Sequence, residues 1–200
     1  MIEQQLTVDA PRDTVWRAFT EPERIREWFG WDYDGLDAEI AWIVGDANLA
    51  AAPDRISHSD GSYIELAGES GQTTIKVAFP DSVEVEEGWR TFLAQLRFLL
   101  ETAPRGRRRT VYLTGEAAGP AVAALAEGRP WHDAPRQRSA VDTAGHLVVV
   151  TANAGLTSED TGPVSVLVTT YGLDDAAFDE LRQRWGARWQ ALVKNPEVTT

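Results

Sequence analysis

From about Ser82 to Glu101 the chain sets Val85, Trp89, Phe92, Leu93, Leu96, Leu99 and Leu100 on one broad helical face. A helix of that length must bury the stripe against another layer. Glu84, Glu86 and Glu87 in its first turns complement the positive end of the helix dipole. The segment before it, Gln72 to Phe79, alternates. Thr73, Ile75, Val77 and Phe79 share one face, and Thr74, Lys76 and Ala78 the other. A half-buried strand feeding a long half-buried helix predicts a sheet packed on a helix, the α+β class.

The rest of the first half fits that plan. Ile2 to Val8 predicts a strand with Ile2, Leu6 and Val8 inward. Pro11 suits a helix start, and Val15, Trp16 and Phe19 follow at helical spacing. Thr20 and Glu23 have capping-box spacing for a second short helix, with Ile25, Trp28 and Phe29 as its stripe and Gly30 as its end. Ala38 to Val44 reads as a strand. Arg55 to His58 and Ser62 to Ala67 flank Ser59-Asp60-Gly61, a hairpin signal. Glu69-Ser70-Gly71 reads as the next turn, and Asn48 to Asp54 as an Ala-rich stretch with little pattern.

Thr102 to Gly106 reads as a linker, dividing the chain into domains 1–103 and 104–200. The second half predicts strands at Arg109 to Thr114, Ser139 to Asp142, His146 to Asn153 and Val164 to Tyr171. A short helix spans Pro120 to Ala126, and Gly128 to Gln137 reads as a polar loop. A last helix starts near Asp174, a natural cap, and carries Phe178, Leu181, Trp185, Trp189 and Leu192. Each half thus runs strand, helix, strands, long Trp-bearing helix. That order suggests a degenerate tandem repeat of about 100 residues.

Composition bounds the partners. Hydrophobic content of 43% and charged content of 25% are those of an ordinary globular protein. A net charge of -12 repels nucleic acid and anionic lipid, so neither is an expected partner. No apolar run approaches the roughly 20 residues of a membrane span. Cysteine is absent, and Met1-Ile2-Glu3-Gln4-Gln5 lacks the basic-then-apolar pattern of a signal peptide; a cytoplasmic location is expected. Arg105, Arg107, Arg108 and Arg109 read as a solvated linker, with an acidic-partner docking patch as the alternative.

Catalytic motifs are missing. His58, His132 and His146 are far apart, and no zincin, nucleophile-elbow, Walker or dinucleotide fingerprint occurs. Asp32, Asp34, Asp37 and Glu39 miss the spacing of a calcium loop, so no metal or other cofactor is expected. Trp131-His132-Asp133 would set a carboxylate beside an imidazole, but in a loop with no nucleophile near it in sequence. No catalytic residue is assigned.

Ala10-Pro11-Arg12-Asp13-Thr14-Val15-Trp16-Arg17-Ala18-Phe19-Thr20-Glu21-Pro22 with Trp28-Phe29-Gly30 resembles the opening of the activator-of-heat-shock-ATPase homologue family. Gly88-Trp89 followed by Leu93, Leu96 and Leu100 is similar to that family's closing helix. The family belongs to the START-like, birch-pollen-allergen-like superfamily, also called SRPBCC, and the resemblance covers about residues 2 to 101. It implies a helix-grip fold, in which a curved antiparallel sheet wraps a long C-terminal helix. A cavity between them takes a hydrophobic small molecule or lipid-like ligand without catalysis. Inward positions expected to line it are Trp28, Trp42, Tyr63, Ile75, Phe79, Trp89, Phe92 and Leu96. The family also implies two alternatives, a co-chaperone-like protein partner and a cyclase- or hydrolase-like enzyme on an aromatic substrate. A titratable group facing the cavity would favour the enzyme.

Overall fold

The computed structural model describes residues 1–52, 54–69 and 71–199, with the backbone alone for 48–52. The chain forms two compact units. The first holds 1–30 and 34–103, the second 31–33 and 104–200. Both are α+β with antiparallel sheets.

In the first unit β1 (Ile2–Val8) leads to α1 (Arg12–Thr20), α2 (Pro22–Arg26) and α3 (Leu36–Asp46). Strands β2 (Asn48–Ala52), β3 (Arg55–Ser57), β4 (Tyr63–Glu69) and β5 (Gln72–Phe79) precede α4 (Val83–Thr102). The sheet order is β1-β5-β4-β3-β2. The first and last strands pair along their whole length, from Ile2 opposite Phe79 to Val8 opposite Thr73. The alternation expected of β5 places Thr73, Ile75, Val77 and Phe79 in the interior. The stripe of α4 packs there through Leu93 and Leu96, with Trp89, Phe92, Leu99 and Leu100 partly buried around them. Gln4 on β1 donates to the Glu86 carbonyl of α4 at 2.8 Å.

Three local expectations for this unit need correction. Ala38–Val44 is helix α3, not a strand. Its apolar residues fit period 2, but Leu36 and Ile40 are the buried pair at a helical interval, and Asp37 and Glu39 occupy the first turn. Thr20 does not cap α2. Its hydroxyl donates to the Trp16 carbonyl within α1, and Glu21 is the cap residue, followed by Pro22. Asn48–Ala52 is a strand on the outer edge, paired to β3. The expected turn at Glu69-Ser70-Gly71 includes Ser70, which lies outside the described residues.

The second unit contains β6 (Arg108–Ala117), α5 (Gly119–Ala123), β7 (Arg129–Asp133), β8 (Gln137–Val141), β9 (Leu147–Ala152), β10 (Gly162–Tyr171), α6 (Asp175–Gln190) and β11 (Lys194–Thr199). Its sheet runs β11-β6-β10-β9-β8-β7. Phe178, Leu181, Trp185 and Trp189 of α6 join Val111, Leu113, Val148, Val150, Val166 and Val168 in one core. The expected cap holds: the Asp174 carboxylate accepts from the Ala177 N–H at 2.8 Å.

The polar loop expected at 128–137 is instead largely strand. Pro130 is tolerated because β7 is the sheet edge, where a missing N–H removes no ladder bond. Strand β11 is too polar to show alternation. Residues Trp31–Tyr33, read by sequence with the first half, belong to the second unit. There the Trp31 ring stacks on Tyr112 at 4.1 Å, and Asp32 accepts from the Thr110 N–H at 2.8 Å. The arginine run is also divided. Arg108 is buried, while Arg109 pairs with Asp175 at 2.8 Å and lies 3.8 Å above the Phe178 ring. Where β6 begins, Gly106 (φ +91°) meets Gly172 (φ +72°). A Cβ on the first would fall 2.5 Å from the Cα of the second.

Candidate functional site

The first unit carries a half-open cavity of about 400 Å³. Its apolar wall is an unbroken succession of rings. Phe19 meets Trp28 edge-on at 5.0 Å, Trp28 meets Phe29 at 5.8 Å, and Phe29 lies 4.7 Å from Phe92. Phe92 meets Trp89 at 6.0 Å, and Trp89 stacks on Phe79 at 6.2 Å. All six rings line the cavity, with Ile25, Ile43, Ile64 and Val85.

Each ring is placed by its element. Phe19 is at the end of α1. Trp28 and Phe29 follow α2, where Gly30 (φ +60°) turns the chain away. Phe79 closes β5, and Trp89 and Phe92 lie nearly one turn apart on α4. Trp28 is 1% exposed and donates from Nε1 to the Ala18 carbonyl at 2.8 Å, so its plane is fixed. Gln95 on α4 donates to the Gly30 carbonyl at 3.1 Å, tying the end of the aromatic turn to the long helix.

The lining also includes a polar group: Glu39 from α3, and His58, Asp60 and Ser62 from the β3–β4 turn. Gly61 (φ +85°) lets this turn close, with the His58 N–H donating to the Ser62 carbonyl at 2.9 Å. Asp60 accepts from the Ser62 N–H at 2.8 Å and hydroxyl at 2.6 Å. That hydroxyl bond, then the backbone one, holds its carboxyl below the usual carboxylate range. Behind His58 stands Asp46, the last residue of α3, with Oδ2 3.6 Å from His58 Nδ1. The Ser59 N–H donates to the same oxygen at 2.9 Å. That backbone bond is the first cause of the lowered Asp46 carboxyl, and the imidazole adds to it. Among the described residues lining the cavity there is no Lys or Arg.

Of the residues expected on this wall, Trp28, Trp42, Phe79, Trp89 and Phe92 are there. Trp42, on α3, is 63% exposed at its edge. Tyr63, Ile75 and Leu96 are not on it. Tyr63 neighbours Ile64 on β4, so the pleat turns it to the opposite face. There it donates to Glu3 at 2.7 Å under the Arg55 guanidinium. Ile75 is interior, but four residues from Phe79 along β5, roughly 13 Å away, and packed in the core. Leu96 is a full turn past Phe92 and completely buried.

Sequence reading did not place Phe19, Phe29, Glu39, His58, Asp60 or Ser62 on the cavity. The turn signal marks where the chain reverses, and carries no sign of what its side chains adjoin. Trp131-His132-Asp133 does not set its carboxylate beside its imidazole. In strand β7 His132 and Asp133 point to opposite faces, and Asp133 pairs across the hairpin with Arg138 at 3.4 Å. The Asp32 carboxylate is taken by Thr110, and that of Asp37 by Arg26. Among the described residues no group of three or more His, Asp or Glu has a metal-binding arrangement, and no helix is long and apolar enough to cross a membrane.

No protein-family model matches the chain, and no curated protein does. Among solved structures it is similar to DynU16, a protein in the dynemicin biosynthetic locus. Identity is 20% over 96% of this chain and 95% of that one, with a TM-score of 0.37. A likeness of that size carries no argument about function.

Proposed function

We propose that the first unit is a START-like helix-grip domain that binds a flat, hydrophobic small molecule between its sheet and α4. The observation that carries this is the run of six rings lining one pocket. A space of about 400 Å³ with aromatic walls has the size and lining of a small-molecule site. Full pairing of β1 with β5 under the long closing helix supports the helix-grip reading. Exposed Trp42 and Val85 beside the cavity favour a second reading, in which the same surface takes an apolar side chain of a protein partner.

Titration with neutral N-phenyl-naphthylamine tests the proposal. Native protein is expected to bind one dye per chain, with saturable dye enhancement and quenching of tryptophan. Ile43→Trp, which puts an indole into the space, is expected to abolish this while keeping the far-ultraviolet dichroism. Non-saturable dye response, or equal binding by Ile43→Trp, rejects the cavity as a ligand site.

A further inference from the structure

The polar group does more than border the aromatic wall, because its imidazole is backed by a carboxylate. His58 is 13% exposed in its side chain and forms part of the cavity lining. Asp46 faces its Nδ1 at 3.6 Å, and is itself held by the Ser59 N–H at 2.9 Å. A neutral imidazole that directs its Nδ1–H at a carboxylate keeps its lone pair on Nε2, and the same carboxylate stabilises the ring once Nε2 has taken a proton. Two other carboxylates line the cavity. Asp60 is occupied by two bonds from Ser62, and Glu39 extends from α3.

We propose that the first unit is a proton-transfer catalyst, in which His58, oriented by Asp46, acts on a neutral, flat molecule bearing a carbonyl-flanked C–H. This rests on the reading of the cavity as a ligand site. Nε2 takes the proton, and the C–H electron pair stays with the substrate as an enolate. The imidazolium then returns the proton to another position of the same molecule. The result is an isomer, with no co-reactant consumed and no group lost. His58 touches the substrate. Asp46 is a positioning residue, acting only through the ring.

The test uses the intact chain and nitrobenzisoxazole, a flat neutral probe of bases in apolar pockets. Loss of its ring C–H proton breaks the N–O bond and yields a coloured cyano-nitrophenolate, so proton removal is read directly. Native protein is expected to show saturable turnover. His58→Gln is expected to lower kcat about 10²-fold, with dye binding retained as proof of fold and cavity. Asp46→Asn is expected to lower kcat about tenfold with KM unchanged, since it disturbs the orientation of the base and not the apolar walls. If dye binds and native turnover equals that of His58→Gln, proton transfer by His58 is overturned and the binding reading stands. If KM and not kcat moves in Asp46→Asn, the assigned role of Asp46 is overturned. If dye does not bind, both readings fall.

Discussion

Gly88 precedes Trp89 inside α4, where a glycine costs roughly 1 kcal/mol against alanine. Its place beside a cavity residue suggests a packing need, yet a Cβ there would meet nothing within 4 Å. Nor is its φ in the left-handed region. Gly88→Ala is therefore expected to stabilise the protein by about 0.5–1 kcal/mol, read as a higher denaturant midpoint with unchanged m. Destabilisation would mean that the helix needs the glycine to bend or open. The contrast with Gly30 is one of backbone: at φ +60° a side chain would be strained whatever space surrounds it.

At the scale of elements, α6 begins on a cap visible in the sequence. Asp174→Ala removes the acceptor of the Ala177 N–H and is expected to cost about 1 kcal/mol in chemical denaturation, with Asp174→Asn close to neutral. The long helices and β1, β5, β9 and β10 were legible because many apolar residues repeat at one period. Helix α3 was not, because Ala38, Ile40, Trp42 and Val44 alternate as a strand would. That ambiguity also concealed half of the site. Period 2 puts Glu39 and Ile43 on the face opposite Trp42. A helix brings 39, 42 and 43 onto one side, where all three meet the cavity. Of the six rings, Trp28, Trp89 and Phe92 could be read from helical spacing and Phe79 from strand alternation, while Phe19 and Phe29 read only as helical stripe residues. The polar group comes from a turn and a misread helix, so sequence pattern could not assemble it. Edge strands β7 and β11 escaped for another reason: with a proline in each and few buried residues, they hold too little apolar periodicity to register.

For the whole molecule, stability toward mild acid is expected to depend on His146 in the second unit. It is 9% exposed, and burial pushes its pKa below the ordinary imidazole value, with Arg184 acting the same way and Asp142 opposing. A depressed folded-state pKa contributes stability that is present above the unfolded value, about 6.5, and is lost as pH falls through the folded one. Below that value the unfolded chain takes up a proton that the folded chain resists. The melting temperature should thus fall from pH 7.5 to pH 5.5, and His146→Gln should flatten that slope. An unchanged slope would assign the acid sensitivity to other groups.

The contact between Gly106 and Gly172 limits how this sequence can drift. Most close contacts tolerate change because a larger residue on one side can be matched by a smaller one opposite. Here both partners already lack a side chain, so no second substitution can compensate a first. Each also has a positive φ that penalises any replacement on its own account. Saturation mutagenesis with a folding readout should find both positions closed, singly and in every pair. Relatives that keep the β6–β10 pairing should carry glycine at both places, or have lost the contact by remaking the loop.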